Sequence, residues 1–496
     1  KGAGAVLPLR RRRHGPAVAW AARGSQRWML PSPGRATQPG RPDEWQEHGA
    51  SRPFAAPFGC TAITQSPVPF TPPGLPGHKD FPASTNPAQG PHRCPRQRPP
   101  ANDAGGANDG AAGVSCARWI GFMTGNFSAN MNRSQTSLLN RKGRHMNRRE
   151  RVLTAANLGE PDRVPVDLLP NKYVEERLHR DLGTASDREL LKRLHVDVVD
   201  LRGVVDPQYD GPRPFSRDLG NGVRENIWGW RQKTVQTATG PEDSFVEFVL
   251  SDAETVEDLQ QHAWPSPDWY DFSNFSARLE PWQDFAIMAS GPSVFQHPTF
   301  LRGIDNLLMD MAIRPDMANF LMDKYTEFYL QYFDRMFTAA GGRIDILRVA
   351  DDLGMQDGLM ISMEMCRRYI FLRLEKLVDL AHAHGARLLF HSCGAIRPLI
   401  DDIIGIGVDI LDPLQAAAEG MEPEGLKKDF GNRLCLHGGI CTQHLLPEGT
   451  TADVREEVKR RIDILGEGGG YILAPCHVLQ NDVPTDNILA MVETVC

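Results

Sequence analysis

The sequence predicts an α/β fold, a (β/α)8 TIM barrel with a β-rich insertion, over residues 146–496. Three observations predict it. Eight short runs rich in β-branched residues recur along this stretch, helical patterns separate them, and the length suits a barrel carrying insertions. Strand–helix alternation implies a parallel sheet covered by helices, and eight such units favour a closed barrel.

The elements follow in order. Met146-Asn-Arg-Arg-Glu150 opens the first helix and reads as a natural start of the folded part. The predicted strands are Arg163–Leu168, Val196–Leu201, Phe285–Ala289, Ile344–Val349, Arg387–Phe390, Val408–Leu411, Leu434–Leu436 and Tyr471–Leu473. The clearest helices are Asp316–Thr338, Met363–His382, Ile396–Ile404 and Ala452–Leu465. Residues 206–250 interrupt the second unit; Ile227-Trp-Gly-Trp230 and Phe245-Val-Glu-Phe-Val249 read as a hairpin around Gly240-Pro241. Residues 262–284, rich in Trp, Pro and Asp, read as an irregular surface loop. Gly466-Glu-Gly-Gly-Gly470 precedes a strand, so it reads as a helix cap and turn, because a phosphate loop follows a strand and opens a helix.

Residues 1–145 are a different polymer. They hold 19 of the 38 prolines and carry 19 Lys+Arg against 6 Asp+Glu, whereas residues 146–496 carry 36 against 56. Such a segment buries too little apolar surface to offset the entropy of ordering, and a disordered Pro/Arg-rich extension is expected there, either foreign to the native protein or a functional basic tail or transit peptide. The acidic remainder argues against nucleic acid as a partner. No run of about 18 apolar residues suggests a membrane span. The cysteines form no disulfide framework, which fits a cytoplasmic protein. A small-molecule substrate is expected, and a homodimer is one assembly open to the chain, whose oligomeric state the sequence does not give.

The chemistry gathers at strand ends. Arg387-Leu-Leu-Phe390 runs into His391-Ser-Cys-Gly394, so alternation puts His391 and Cys393 on one side. The last strand ends in Ala474-Pro-Cys-His477. An imidazole and two thiols from separate strand ends suit zinc, and three ligands leave a fourth position open. The alternative is two small buried cysteines and a hydrogen-bonded histidine. Asp351 and Asp352 end the fourth strand as candidates for general acid or substrate contact, one of the pair serving as a helix cap. Gly291, Asp412 and His437 fall on the same face as candidate substrate contacts, and Cys441 follows the seventh strand.

Several stretches resemble the uroporphyrinogen decarboxylase superfamily: Glu160-Pro-Asp-Arg-Val-Pro165, Ala350-Asp-Asp-Leu-Gly-Met-Gln356, Phe390-His-Ser-Cys-Gly394, Gly407-Val-Asp-Ile-Leu-Asp-Pro-Leu-Gln415 and Gly468-Gly-Gly-Tyr-Ile-Leu-Ala-Pro-Cys-His477. The resemblance implies one of two chemistries. One branch decarboxylates uroporphyrinogen in porphyrin biosynthesis without metal. The other looks like zinc methyltransferases that move a methyl group between a corrinoid protein and a thiol, and its His-x-Cys…Cys motif maps onto His391, Cys393 and Cys476. Asp167-Leu-Leu-Pro-Asn-Lys-Tyr173 lacks the arginine pair with which decarboxylases grip their substrate; Lys172, Arg202 and Arg348 compensate only in part. The chain holds no Asp-x-His-x-x-Gly corrinoid motif, so cobalamin is expected only on a separate corrinoid protein. Zinc-dependent methyl transfer is the leading expectation, a metal-free decarboxylase the second, and a non-catalytic binding protein using the 206–250 insertion the third.

Overall fold

A computed structural model describes residues 145–237 and 240–496. The extension expected over residues 1–145 thus falls almost wholly outside the described residues. Seven parallel strands form one sheet in chain order: Val198–Asp200, Ala286–Ser290, Ile346–Ala350, Arg387–His391, Ile410–Asp412, Cys435–Ile440 and Tyr471–Pro475. The predicted first strand joins both ends of this sheet through a few residues only. Val166 bridges in parallel to Leu473. The Asp167 N–H donates to the Leu473 carbonyl at 2.9 Å, and the Asp197 N–H donates to the Val166 carbonyl at 2.8 Å. The segment closes the barrel yet makes a short ladder, because Pro165 and Pro170 bracket it and carry no N–H.

Side-chain alternation splits the barrel interior into two layers. The lower layer is apolar: Val198, Ala286, Ile346, Leu389, Ile410, Cys435 and Ile472 cluster there with Val152, Ala155 and Ala156 of the helix Arg148–Ala156. This helix is anchored by an Asn147/Glu150 capping box and plugs the bottom of the barrel. Two residues further along the strands the same face is polar, with Arg348, His391, Asp412 and His437.

Carboxylates at the strand starts tie the lower rim, with Asp197 and Asp345 buried and Asp409 partly so. Asp197, Asp345 and Asp409 each precede a strand, and each accepts the backbone N–H of the strand before it: Val166 at 2.9 Å, Ile287 at 3.0 Å and Leu388 at 2.8 Å. Arginines neutralise them: Arg151 and Arg163 on Asp197, Arg149 on Asp345, and Arg387 on Asp409.

Outside the barrel, the helix Pro315–Ala340 carries an aromatic seam. Tyr325 stacks on Trp228 with ring centroids 4.3 Å apart, and its hydroxyl accepts from Trp230 Nε1 at 2.9 Å. The insertion is a four-stranded antiparallel sheet, Ser216–Gly220, Val223–Asn226, Arg231–Thr237 and Gly240–Glu247. The hairpin lies where the sequence predicts it, but its first arm is Arg231–Thr237. Trp228 and Trp230 are buried against the long helix instead of continuing that strand, so burial of two indoles overrode the local β-propensity. The segment 262–284 is more ordered than expected: Tyr270–Asp271 pairs with Gln208–Tyr209, and Phe275–Leu279 is helical. No helix among the described residues is long and apolar enough to cross a membrane.

Candidate metal centre at the barrel mouth

The polar layer is a connected network. His391 and Asp412 are register partners on neighbouring strands, and His437 lies on the next. One carboxylate serves both rings: Asp412 Oδ2 lies 2.5 Å from His391 Nδ1, and Oδ1 lies 2.8 Å from His437 Nδ1. His437 Nε2 is 3.1 Å from Asp167 Oδ2, which brings in the closing segment. Arg348 donates to Asp412 Oδ2 at 3.3 Å and also lies 2.8 Å from His391 Nδ1. A guanidinium only donates, so the shorter, charge-assisted carboxylate contact fixes the proton on His391 Nδ1. Burial alone would raise the Asp412 carboxyl, but the charges and hydrogen bonds of His391 and His437 hold it well below the usual carboxylate range. Burial likewise opposes protonation of His437, yet Asp412 and Asp167 together lift it to about 9.

With Nδ1 held by Asp412, Nε2 is the His391 atom left for the mouth, and it offers a lone pair once it has lost its proton. It lies 3.5 Å from Cys393 Sγ and 3.7 Å from Asp352 Oδ1. One ligand atom from each of Asp352, His391 and Cys393 lies within 4.8 Å of the others. Tetrahedral zinc with its usual bond lengths would separate nitrogen from sulfur by about 3.6 Å and nitrogen from oxygen by about 3.4 Å, so these residues fit the ion.

Two glycines make this convergence possible. The loop after Ala350 crosses directly over the loop after His391, with the Ala395 N–H donating to the Met355 carbonyl at 2.7 Å and the Cys393 N–H to Asp352 Oδ1 at 3.0 Å. A Cβ on Gly394 would sit 2.4 Å from the Gly354 carbonyl carbon, and one on Gly354 would sit 2.7 Å from the Cys393 carbonyl oxygen. Gly394 also has φ +87°, which suits glycine alone.

The other predicted residues divide. Cys476 is close by but stays out of the set: its thiol donates to the Leu414 carbonyl at 3.0 Å, and burial pushes it up to about 12. Asp351 is fully buried and spent on the loop after the third strand, accepting from Ser293 Oγ at 2.6 Å and from the backbone of Val294, Phe295 and Gln296 at 2.8–2.9 Å. Burial lifts its carboxyl to about 6 against those hydrogen bonds. Gly291 lies at the end of the third strand with φ +143°, its Cβ direction open except for Phe333 at 3.7 Å.

His477 is a site residue that sequence reasoning missed. Its ring centroid lies 6.3 Å from that of His391, and its buried Nε2 has no hydrogen-bond partner among the described residues. Burial and the neighbouring His391 hold it below the ordinary histidine value. Strand pairing ends at Pro475, so the two-residue alternation that points Cys476 inward does not extend past it.

Residues 284–496 match the family model described as uroporphyrinogen decarboxylase (URO-D). Over these 213 of its 496 residues the chain is similar to that family. The superfamily match spans the last six barrel strands and includes Asp352, His391, Cys393, Asp412, His437 and His477. No curated protein matches the chain. Among solved structures, a methyltransferase from Methanosarcina mazei is 17% identical, with 71% of this chain and 98% of that one covered and a TM-score of 0.48. A 3-keto-D-glucoside 4-epimerase from E. coli is 11% identical, covering 45% of this chain and 82% of its own at a TM-score of 0.28. A 7,8-dihydropteroate synthase from Vibrio fischeri is 10% identical, covering 67% and 91% at 0.25.

Proposed function

We propose that this chain is a member of the uroporphyrinogen decarboxylase superfamily and a zinc-dependent methyltransferase that moves a methyl group between a separate corrinoid protein and a thiol or related acceptor, with zinc held by Asp352, His391 and Cys393. The convergence of a carboxylate oxygen, an imidazole nitrogen and a thiol within 4.8 Å at the barrel mouth carries this reading. When bound, zinc supplies the charge that keeps an acceptor thiol in its thiolate form near neutral pH. The protein's own residues do the rest. Asp412 fixes the His391 tautomer, as carboxylates behind metal-binding histidines do. Arg348 and His437 keep Asp412 ionised. His477 bonds the Val478 backbone through its other nitrogen, so Nε2 is the atom that takes the acceptor's proton.

Cation placement supports methyl transfer over decarboxylation of uroporphyrinogen or another carboxylate. The three cations that would grip such a substrate are engaged within the protein. Arg348 bonds Asp412, Arg202 bonds Asp200 at 2.9 Å, and the Lys172 ammonium lies 4.7 Å from the Tyr173 ring centre.

Metal analysis of the purified protein tests the proposal. One mouth-bound zinc is expected in the wild type; Asp352→Asn and Cys393→Ser should each weaken it by at least about 10–100-fold, whereas Cys476→Ser should retain it. A wild type without zinc at the mouth, or decarboxylation that survives chelation, overturns it.

A further inference from the structure

We propose a covalent modification site at the barrel mouth: Cys441 and Cys476, which face each other at the exits of the seventh and eighth strands, close to a reversible disulfide when the protein meets a small-molecule disulfide. The parallel ladder between these strands runs from Leu436 opposite Tyr471 to Ile440 opposite Pro475, so the next residues in register are the two cysteines. The Cys476 N–H donates to the Ile440 carbonyl at 2.8 Å, which keeps that register up to the cysteine itself. Neighbouring strands lie about 4.8 Å apart, and facing residues project to one side of the sheet. A disulfide spans Cα atoms about 4.4–6.8 Å apart, so side-chain rotation is enough to form it.

The side chains agree with the backbone. Both cysteines are free thiols. After burial, Cys441 is among the groups that push the Cys476 thiol up, so the two sulfurs lie within reach of each other's charge. Cys393 leaves the fifth strand, with the sixth and seventh between it and Cys476. The two thiols also differ in the way a two-step exchange needs. Cys441 is partly exposed and meets the oxidant, whereas Cys476 is buried with its thiol on the Leu414 carbonyl. The Cys441 thiolate attacks one sulfur of the oxidant and expels one thiol. Cys476 then attacks the Cys441 sulfur and expels the second, its proton leaving with that thiol. Two cysteines lose two electrons, and the oxidant becomes two thiols. The bridge draws Cys476 off Leu414 and ties the exits of the two strands together next to His477.

Thiol mapping of the full chain tests the proposal. Native wild-type protein is treated with oxidised glutathione, the remaining thiols are alkylated, and peptides are mapped by mass spectrometry without reduction. A Cys441–Cys476 crosslink that dithiothreitol removes is expected. In Cys476→Ser the reaction should stop at a glutathione adduct on Cys441, and in Cys441→Ser the buried Cys476 should stay free. Oxidised wild type without the crosslink overturns the proposal, whether Cys441 keeps a stable adduct or stays unreacted; so does a crosslink from either cysteine to Cys393. The same Cys441–Cys476 crosslink is expected in Cys393→Ser, so failure of this proposal and failure of the zinc reading are told apart.

Discussion

His391 takes its properties from the residues behind it. Asp412 accepts from its Nδ1 and from His437 Nδ1, so one ionised carboxylate orients two rings. This network also ties stability to pH. An unperturbed histidine titrates near about 6.5, while His437 is lifted to about 9 in the fold. Its stabilising contribution is therefore complete below about 6.5 and is lost as pH rises through about 9. The metal-free protein should lose stability over that window, by up to about 3 kcal/mol for this contact, and the Asp412 depression is the same interaction seen from its partner. Urea midpoints measured from pH 6 to pH 10 check this; His437→Asn should flatten that part of the profile, and an unchanged slope would remove His437 as its source.

Between elements, the decisive contact is backbone on backbone. The loops after the fourth and fifth strands meet at Gly354 and Gly394, bringing Asp352 over His391 and Cys393. Gly394→Ala puts a methyl group 2.4 Å from a carbonyl carbon with no flexible side chain to yield. We expect it to cost about 1–3 kcal/mol of stability and to lower zinc affinity well beyond what that loss explains, since the loops must separate. Calorimetric melting and zinc competition on the same sample measure both; unaltered zinc binding would show that Asp352 is dispensable. The His-x-Cys-Gly string was legible because one strand and its exit hold it. The partner loop was not, because nothing local in Asp351-Asp352 says which carboxylate faces the mouth: hydrogen bonds to residues 293–296, over fifty positions away in sequence, claim Asp351 and leave Asp352.

For the whole molecule, closure depends on buried charge at the lower rim. Asp197 accepts the Val166 N–H and pairs with Arg151 and Arg163, joining the first and second strands where the ladder is shortest. Asp197→Ala takes from the buried Arg151 the fully buried one of its two carboxylates and leaves the more exposed Asp162. Breaking such a pair typically costs about 3–5 kcal/mol, and urea unfolding should show a loss of that order. A loss below about 1 kcal/mol would mean that hydrophobic contacts alone close the barrel.

The sequence by itself determined the barrel, the order of its eight strands and the face on which His391, Cys393, Asp412 and His437 gather. These follow from two-residue alternation and from strand–helix spacing, which are local and repeat along the chain. Only the tertiary structure decided which residues converge. Alternation points Cys476 inward but does not reach His477, and packing sends the Cys476 thiol to Leu414 while leaving His477 Nε2 at the site. Asp352 joins His391 and Cys393 because two glycines let distant loops touch, a condition that no single segment of the sequence carries.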